Sequence, residues 1–113
     1  MNFEELEEKK RLYKERIRDK ILNGKRLTEQ EVQYIVYEDV CGYVGYVDEI
    51  VREECYRYDK VDMIIQVDKN YYCISYNRGA TEFQEDEFFS QVAIKMKRRI
   101  VVKYEYVWEV DNE

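Results

Sequence analysis

At 113 residues with a net charge of −6, 39% charged and 45% apolar, the chain has room for one core but not two, is too aromatic for a disordered polymer and is too polar for a membrane protein. It contains no histidine, which removes the commonest general base, the usual partner of a serine or cysteine nucleophile and the commonest zinc ligand, so neither catalysis nor a bound metal or cofactor is expected. The longest apolar runs fall far short of the roughly 20 residues of a membrane span, the acidic start Met1-Asn-Phe-Glu-Glu-Leu-Glu-Glu8 lacks the features of a signal peptide, and Cys41, Cys55 and Cys73 form no CxxC pair, so one cytoplasmic domain with reduced thiols is the expectation.

In chain order, residues 2–23 predict a helix. Asn2 is placed to cap it, Glu5 stands three positions on, and Leu6, Tyr13, Ile17 and Ile21 make a stripe at helical spacing that ends at Gly24. The stripe is narrow, so residues 1–24 either touch the body along one edge, semi-detached, or pair with a second copy. A second helix starts at a capping box, Thr28 with Glu31, with Leu27 stapling onto Val32; its apolar face continues through Ile35, Val36 and Val40 until Gly42 and Gly45 break the pattern. Residues 47–58 suit either a helix or a strand, and their place before a strand-rich half favours a strand.

From Val61 the period becomes two. Val61, Met63, Ile65 and Val67 share one face, and after Asp68-Lys-Asn70 so do Tyr72, Ile74 and Tyr76, which predicts a hairpin closed by Asn70 in a positive-φ conformation. Asn77-Arg-Gly79 reads as the next turn. Thr81 and Gln84 resemble a second capping box opening one or two helical turns with Phe83, Phe88 and Phe89. Residues 92–110 then alternate, with Val92, Ile94, Met96, Ile100, Val102, Tyr104, Tyr106, Trp108 and Val110 on one parity, as a long strand or two strands bent at Arg98-Arg99. With proline absent, Lys95, Lys97, Arg98 and Arg99 are candidates for protecting the sheet edge. The expected architecture is α+β: two N-terminal helices packed on an antiparallel sheet of three to five strands, with a short helical turn before the last long strand.

Charge is uneven along the chain: residues 1–26 carry +3, residues 27–91 carry −10 and residues 92–113 carry +1. The acidic middle, without histidine or clustered lysine, argues against a phosphate backbone as direct ligand. It suits instead a basic protein groove, because complementary fields speed association and suppress wrong partners. The candidate contact residues are Glu49, Glu53, Glu54, Tyr56, Tyr58, Asp59, Glu82, Glu85, Asp86 and Glu87, with Glu38, Asp39, Asp48 and Asp62 as further acids. A solvated surface that keeps a small protein soluble is the competing account of the same carboxylates. A divalent-cation site at Glu82, Glu85, Asp86 and Glu87 is disfavoured, because the spacing matches no calcium loop and acids in a first helical turn are expected from the dipole alone. Twelve tyrosines are more than a core of this size hides, and exposed tyrosine is common at protein interfaces.

The run Tyr71-Tyr-Cys-Ile-Ser-Tyr-Asn-Arg-Gly-Ala-Thr-Glu-Phe-Gln-Glu-Asp-Glu-Phe-Phe-Ser-Gln-Val92, preceded by Leu27-Thr-Glu-Gln-Glu31, resembles a group of small uncharacterised proteins of phages and integrative elements of Gram-positive bacteria. In that group a hairpin strand runs into a glycine turn and a Thr-Glu-x-Gln-Glu segment followed by a Phe. This chain departs by carrying Ala80 where a leucine is usual and no proline after Gln91. The resemblance implies a mobile-element origin, with no functional residues to carry over. By style, small acidic proteins of such elements are similar to inhibitors of host defence, anti-CRISPR proteins among them.

The leading expectation is therefore a non-enzymatic, protein-binding inhibitor of a bacterial defence nuclease, its acidic surface competing with nucleic acid. The alternative is a phage accessory or structural protein acting through homo-oligomerisation, with the first helix and the terminal strand as a homodimer seam. A carboxylate-based hydrolase is a third class, and it needs a pocket with a perturbed acid.

Overall fold

The computed structural model describes residues 2–37 and 42–111. Helix α1 (Phe3–Leu22) begins where Asn2 Oδ1 accepts the Glu5 N–H at 2.9 Å, with Glu4 and Glu5 in the first turn complementing the helix dipole. Ile17 and Ile21 enter the core, whereas Leu6, expected on the same stripe, is exposed together with Phe3 and Leu12. The second half of α1 is thus the half that docks.

After β1 (Arg26–Leu27) comes α2 (Glu29–Tyr37). Its capping box forms as the spacing predicts: the Glu31 N–H donates to Thr28 Oγ1 at 3.1 Å, and the Thr28 N–H donates to Glu31 Oε1 at 2.9 Å. Glu31 is also buried. Lys20 Nζ donates to its Oε1 at 2.6 Å and Arg16 Nε lies 3.6 Å from Oε2, so one carboxylate caps α2 and ties it to α1. Burial acts to raise its pKa, but the hydrogen bonds from Lys20 and Thr28 and the Lys20 charge outweigh burial and hold it below the ordinary glutamate value. Val40, expected to continue this helix face, lies outside the described residues, as do Glu38, Asp39 and Cys41.

Three ten-residue strands follow, β2 (Gly45–Glu54), β3 (Tyr58–Val67) and β4 (Asn70–Gly79). Together with β6 (Ile94–Met96) they make an antiparallel sheet in the order β2-β3-β4-β6, while β5 (Gln91–Val92) pairs with β1. The fold is α+β, with α1 against the sheet. Residues 47–54 are strand as expected, and residues 55–57 form the loop to β3. In the β3–β4 hairpin the positive φ falls on Asp68 (+55°) and not on Asn70. Asn70 pairs with Val67 inside the ladder, which leaves a two-residue connection whose first central residue must take positive φ to match strand twist.

Three further expectations are corrected. Asn77, Arg78 and Gly79 do not turn; they extend β4, opposite Lys60, Asp59 and Tyr58. The chain turns over residues 80–84 without helix, because Thr81 Oγ1 accepts from the Phe83 N–H at 3.3 Å and the strand must return at once for Glu87 and Asn77 to exchange backbone hydrogen bonds of 2.8 and 3.0 Å. Glycine is required at position 79, where a Cβ would sit 2.1 Å from the Gln84 carbonyl oxygen. The long terminal strand is also absent: β6 is three residues, and residues 97–111 are all exposed and belong to neither helix nor strand. The reason is register. Met96 pairs with Tyr71, one residue inside β4, so the edge it could follow ends there.

Alternation sorts the sheet into two faces. Val61, Met63, Ile65, Val67, Tyr72, Ile74 and Tyr76 form the closed face, sealed by Ile17, Ile21, Leu27, Val32 and Ile35. Asp48, Ile50, Asp62, Ile64, Tyr71, Ser75 and Met96 lie on the open face, which the helices do not cover.

Candidate functional site

The acidic candidates come from two distant stretches, and the fold brings them to one end of the sheet. The β2–β3 hairpin end carries Glu53 and Glu54 on β2, Tyr56 in the loop and Tyr58 and Asp59 on β3, and it is joined to the 80–87 loop by the Ala80 N–H, which donates to the Arg57 carbonyl at 2.8 Å. That second loop supplies Glu82, Glu85, Asp86 and Glu87.

These residues do different work. Glu49 accepts from Arg78 and from the Tyr76 hydroxyl, the latter at 3.3 Å. Asp86 accepts from the Gly79 N–H at 2.8 Å and from the Tyr37 hydroxyl; that hydrogen bond, with some burial, pushes the Tyr37 pKa up to about 12. Glu87 accepts from Asn77 Nδ2 at 3.3 Å besides its backbone ladder. These three carboxylates hold the 80–87 loop and the β4 end in place. Glu53 pairs with Lys60 at 3.3 Å in the open, where such a pair contributes little.

Glu54 and Asp59 stand directly opposite each other on β2 and β3. Like charges in that position repel, and the nearest cation in register, Arg78 across from Asp59, is turned to Glu49. Around them, two large aromatic rings sit in solvent at the loop tips: Tyr56 is 94% exposed and Phe83 is 85% exposed. Tyr58, by contrast, is half-buried in the sheet. Phe83 was expected inside a helical turn; the turn that replaces the helix turns it outward.

The open face holds a different cluster. Asp62 accepts from Arg52 and, at 2.7 Å, from the Ser75 hydroxyl, and these bonds outweigh its burial to keep its pKa low. Cys73 beside it is buried; burial and then the Asp62 charge push its thiol pKa up, the opposite of what a reactive thiolate needs. A groove of about 320 Å³ runs along this face, lined by Val47, Asp48, Ile64, Tyr71, Met96 and the start of the tail. Arg98 crosses it, its guanidinium 4.8 Å from the Tyr71 ring centroid. Among the described residues no group of three or more His, Cys, Asp or Glu is placed to hold a metal ion, and no helix is long and apolar enough to cross a membrane.

Among known proteins, no family model, no curated relative and no solved structure matches this chain.

Proposed function

We propose that the protein is a non-enzymatic binder whose acidic end docks into a basic groove of another protein, of the kind that holds nucleic acid in a bacterial defence nuclease. The observation that carries this reading is that the Ala80–Arg57 hydrogen bond joins the segment carrying Glu53, Glu54 and Asp59 to the loop carrying Glu82 and Glu85, with the rings of Tyr56 and Phe83 exposed on the same two segments. Aromatic anchors with a charged rim are the anatomy of a protein interface. The directly opposed Glu54 and Asp59 gain from an incoming cation what they lose to each other in the free protein. A cytoplasmic site of action and an origin in a mobile element belong to the same proposal.

Glu49, Asp86 and Glu87 are better regarded as supports of this surface than as contacts, since their oxygens are engaged within the fold. The test therefore spares them. Reversing charge with Glu53→Lys, Glu54→Lys and Glu85→Lys together should abolish capture of a basic, nucleic-acid-binding protein from host lysate, and added DNA should compete with capture by the wild type. Undiminished capture by the triple variant defeats the proposal.

A further inference from the structure

We infer that the exposed terminal segment, residues 99–110, is a β-strand donor that pairs antiparallel with β2 of a second copy, and that two such exchanges build a symmetric dimer. The donor is visible in the exposures. Ile100, Val102, Tyr104, Tyr106, Trp108 and Val110 are 73–102% exposed, on one parity of a stretch rich in β-branched and aromatic residues, the composition of a half-buried strand. Burying those side chains is favourable roughly in proportion to the apolar surface removed from water, and nothing among the described residues covers them.

The acceptor is β2. On the other side of the sheet the β4 edge is closed along its length: Ile94–Met96 pairs with Tyr71 to Cys73, the Gln91 side-chain amide bonds both the N–H and the carbonyl of Ser75 at 2.8 and 2.7 Å, and Glu87 pairs with Asn77. The outer edge of β2 has no strand partner among the described residues. Its residues Tyr46, Val47, Ile50 and Val51 are 37–62% exposed. Register shifts after Tyr46 and Val51 twist this edge without closing it.

Direction and copy number follow from register and charge. Met96 pairs with Tyr71, Tyr71 with Gln66 and Gln66 with Gly45, so the tail leaves the sheet at the row where β2 begins. Antiparallel pairing has to start at Glu54, about 30 Å away at 3.3 Å per residue, so the chain cannot pair this way with its own β2. In a second copy the same direction brings Arg98 and Arg99 beside Glu53 and Glu54, Val102 near Val51, and Tyr106 and Trp108 alongside Tyr46. Glu105 near Asp48 is the unfavourable neighbour. The parallel arrangement sets Lys103 against Asp48 and Glu109 against Glu54, one favourable pair and one unfavourable, where the antiparallel one brings two arginines to Glu53 and Glu54. On the chain's own β2 it would also need residues 97–99 to cross four strand spacings, about 19 Å, with a reach of about 14 Å. Each copy offers about twelve tail residues and the ten of β2, within the roughly 20–30 residues per side of a standard stable interface. Reciprocal exchange closes the assembly at two copies. Tyr56, Phe83, Glu82 and Glu85 stay outside the paired strands, whereas Glu53 and Glu54 belong to both surfaces, so tail pairing and a basic partner at the acidic end compete for these two carboxylates.

The test uses the full chain in light scattering and sedimentation at about micromolar to hundred-micromolar concentration. The expected result is a species of twice the 14.0 kDa chain mass that reverts to one chain mass in the double variant Val102→Pro, Tyr106→Pro. Those prolines remove ladder N–H groups only in the tail, so the helical circular dichroism and melting temperature measured on the dissociated chain should not change. Geometry is read by oxidative cross-linking to Cys55 at the end of β2: Arg98→Cys, directly opposite it in the antiparallel register, should give a covalent dimer that Cys55→Ser abolishes, and Val110→Cys, opposite it only in the parallel one, should not. A dimer that survives the prolines, or cross-linking from position 110 in preference to 98, overturns the inference. So does a wild-type monomer, whether its tail amides exchange slowly, which places the tail on its own sheet, or freely, which leaves the strand for a different protein.

Discussion

The two faces of the four-stranded sheet are built from the same strands by the same alternation and end in opposite states. On the closed face Val61, Met63, Ile65, Val67, Ile74, Tyr72 and Tyr76 are 0–5% exposed, because α1 and α2 lie across β3 and β4. On the open face there is no helix among the described residues, and the strands manage their exposure with polar chemistry: Arg52 and Ser75 on Asp62, and Gln91 on the Ser75 backbone. Even Val51, opposite Val61 in register, is 45% exposed, since the helices do not reach the outer strand. Alternation decides which side chains can share a face. The number and length of the covering elements decide whether that face becomes a core.

Neighbouring isoleucines break or sharpen this contrast. Ile65→Ala empties a site with no exposure and should cost about 3 kcal/mol in denaturant unfolding; Ile64→Ala, half-exposed on the groove side, should cost under about 1 kcal/mol. Equal losses would show that the open face is as well packed as the closed one.

Glu31→Gln sharpens the closed side next. The amide can keep the Thr28 contact but loses the Lys20 ion pair, for about 2 kcal/mol at neutral pH. The folded-state pKa of Glu31 is depressed, so its contribution is present above the unfolded carboxylate value of about 4.3 and disappears as pH falls through the folded value. Unfolding curves of wild type and variant should therefore converge in acid. A gap that stays constant down to about pH 3 rules out the carboxylate charge as its source.

Much of this architecture was legible in the sequence where the signal is local. Thr28 and Glu31 announce the α2 start through a three-residue spacing that needs no tertiary information, and the parity of Val61 to Tyr76 separates the closed face from the open one. Two failures have a common cause. The alternation from Val92 to Val110 describes how a strand would present its side chains, but a strand also needs a neighbour, and the register of Met96 on Tyr71 ends the available edge. Thr81 and Gln84 have the spacing of a helix start, but the Asn77–Glu87 ladder leaves too little chain for a helix. At the candidate surface, the acids were visible as residues and their assembly was not, because the Arg57–Ala80 hydrogen bond that joins the two loops links backbone groups that carry no side-chain signature. Phe83 followed the failed helix.

The smallest expected effect tests how the open side keeps its edge. Gln91 uses a side-chain amide where a strand uses a peptide group, and one residue thereby bridges the gap in the β4 edge between Asn77 and Cys73. In Gln91→Ala water can reach the Ser75 N–H and carbonyl, because Ser75 is exposed, so the loss should be about 1 kcal/mol rather than the larger penalty of a buried unpaired group. Native-state hydrogen exchange localises it: the Ser75 amide should exchange about fivefold to tenfold faster, while the Asn77 amide, bonded to the Glu87 carbonyl at 3.0 Å, keeps its protection. Gln91→Glu separates the two bonds, since a carboxylate still accepts from the Ser75 N–H but sets a second acceptor against the Ser75 carbonyl. Its exchange rate should fall between wild type and alanine at neutral pH and approach wild type once the carboxyl is protonated. Unchanged Ser75 exchange in the alanine variant would mean that solvent closes this edge as well as the glutamine does, and the open face would then owe its order to Asp62 and its two donors alone.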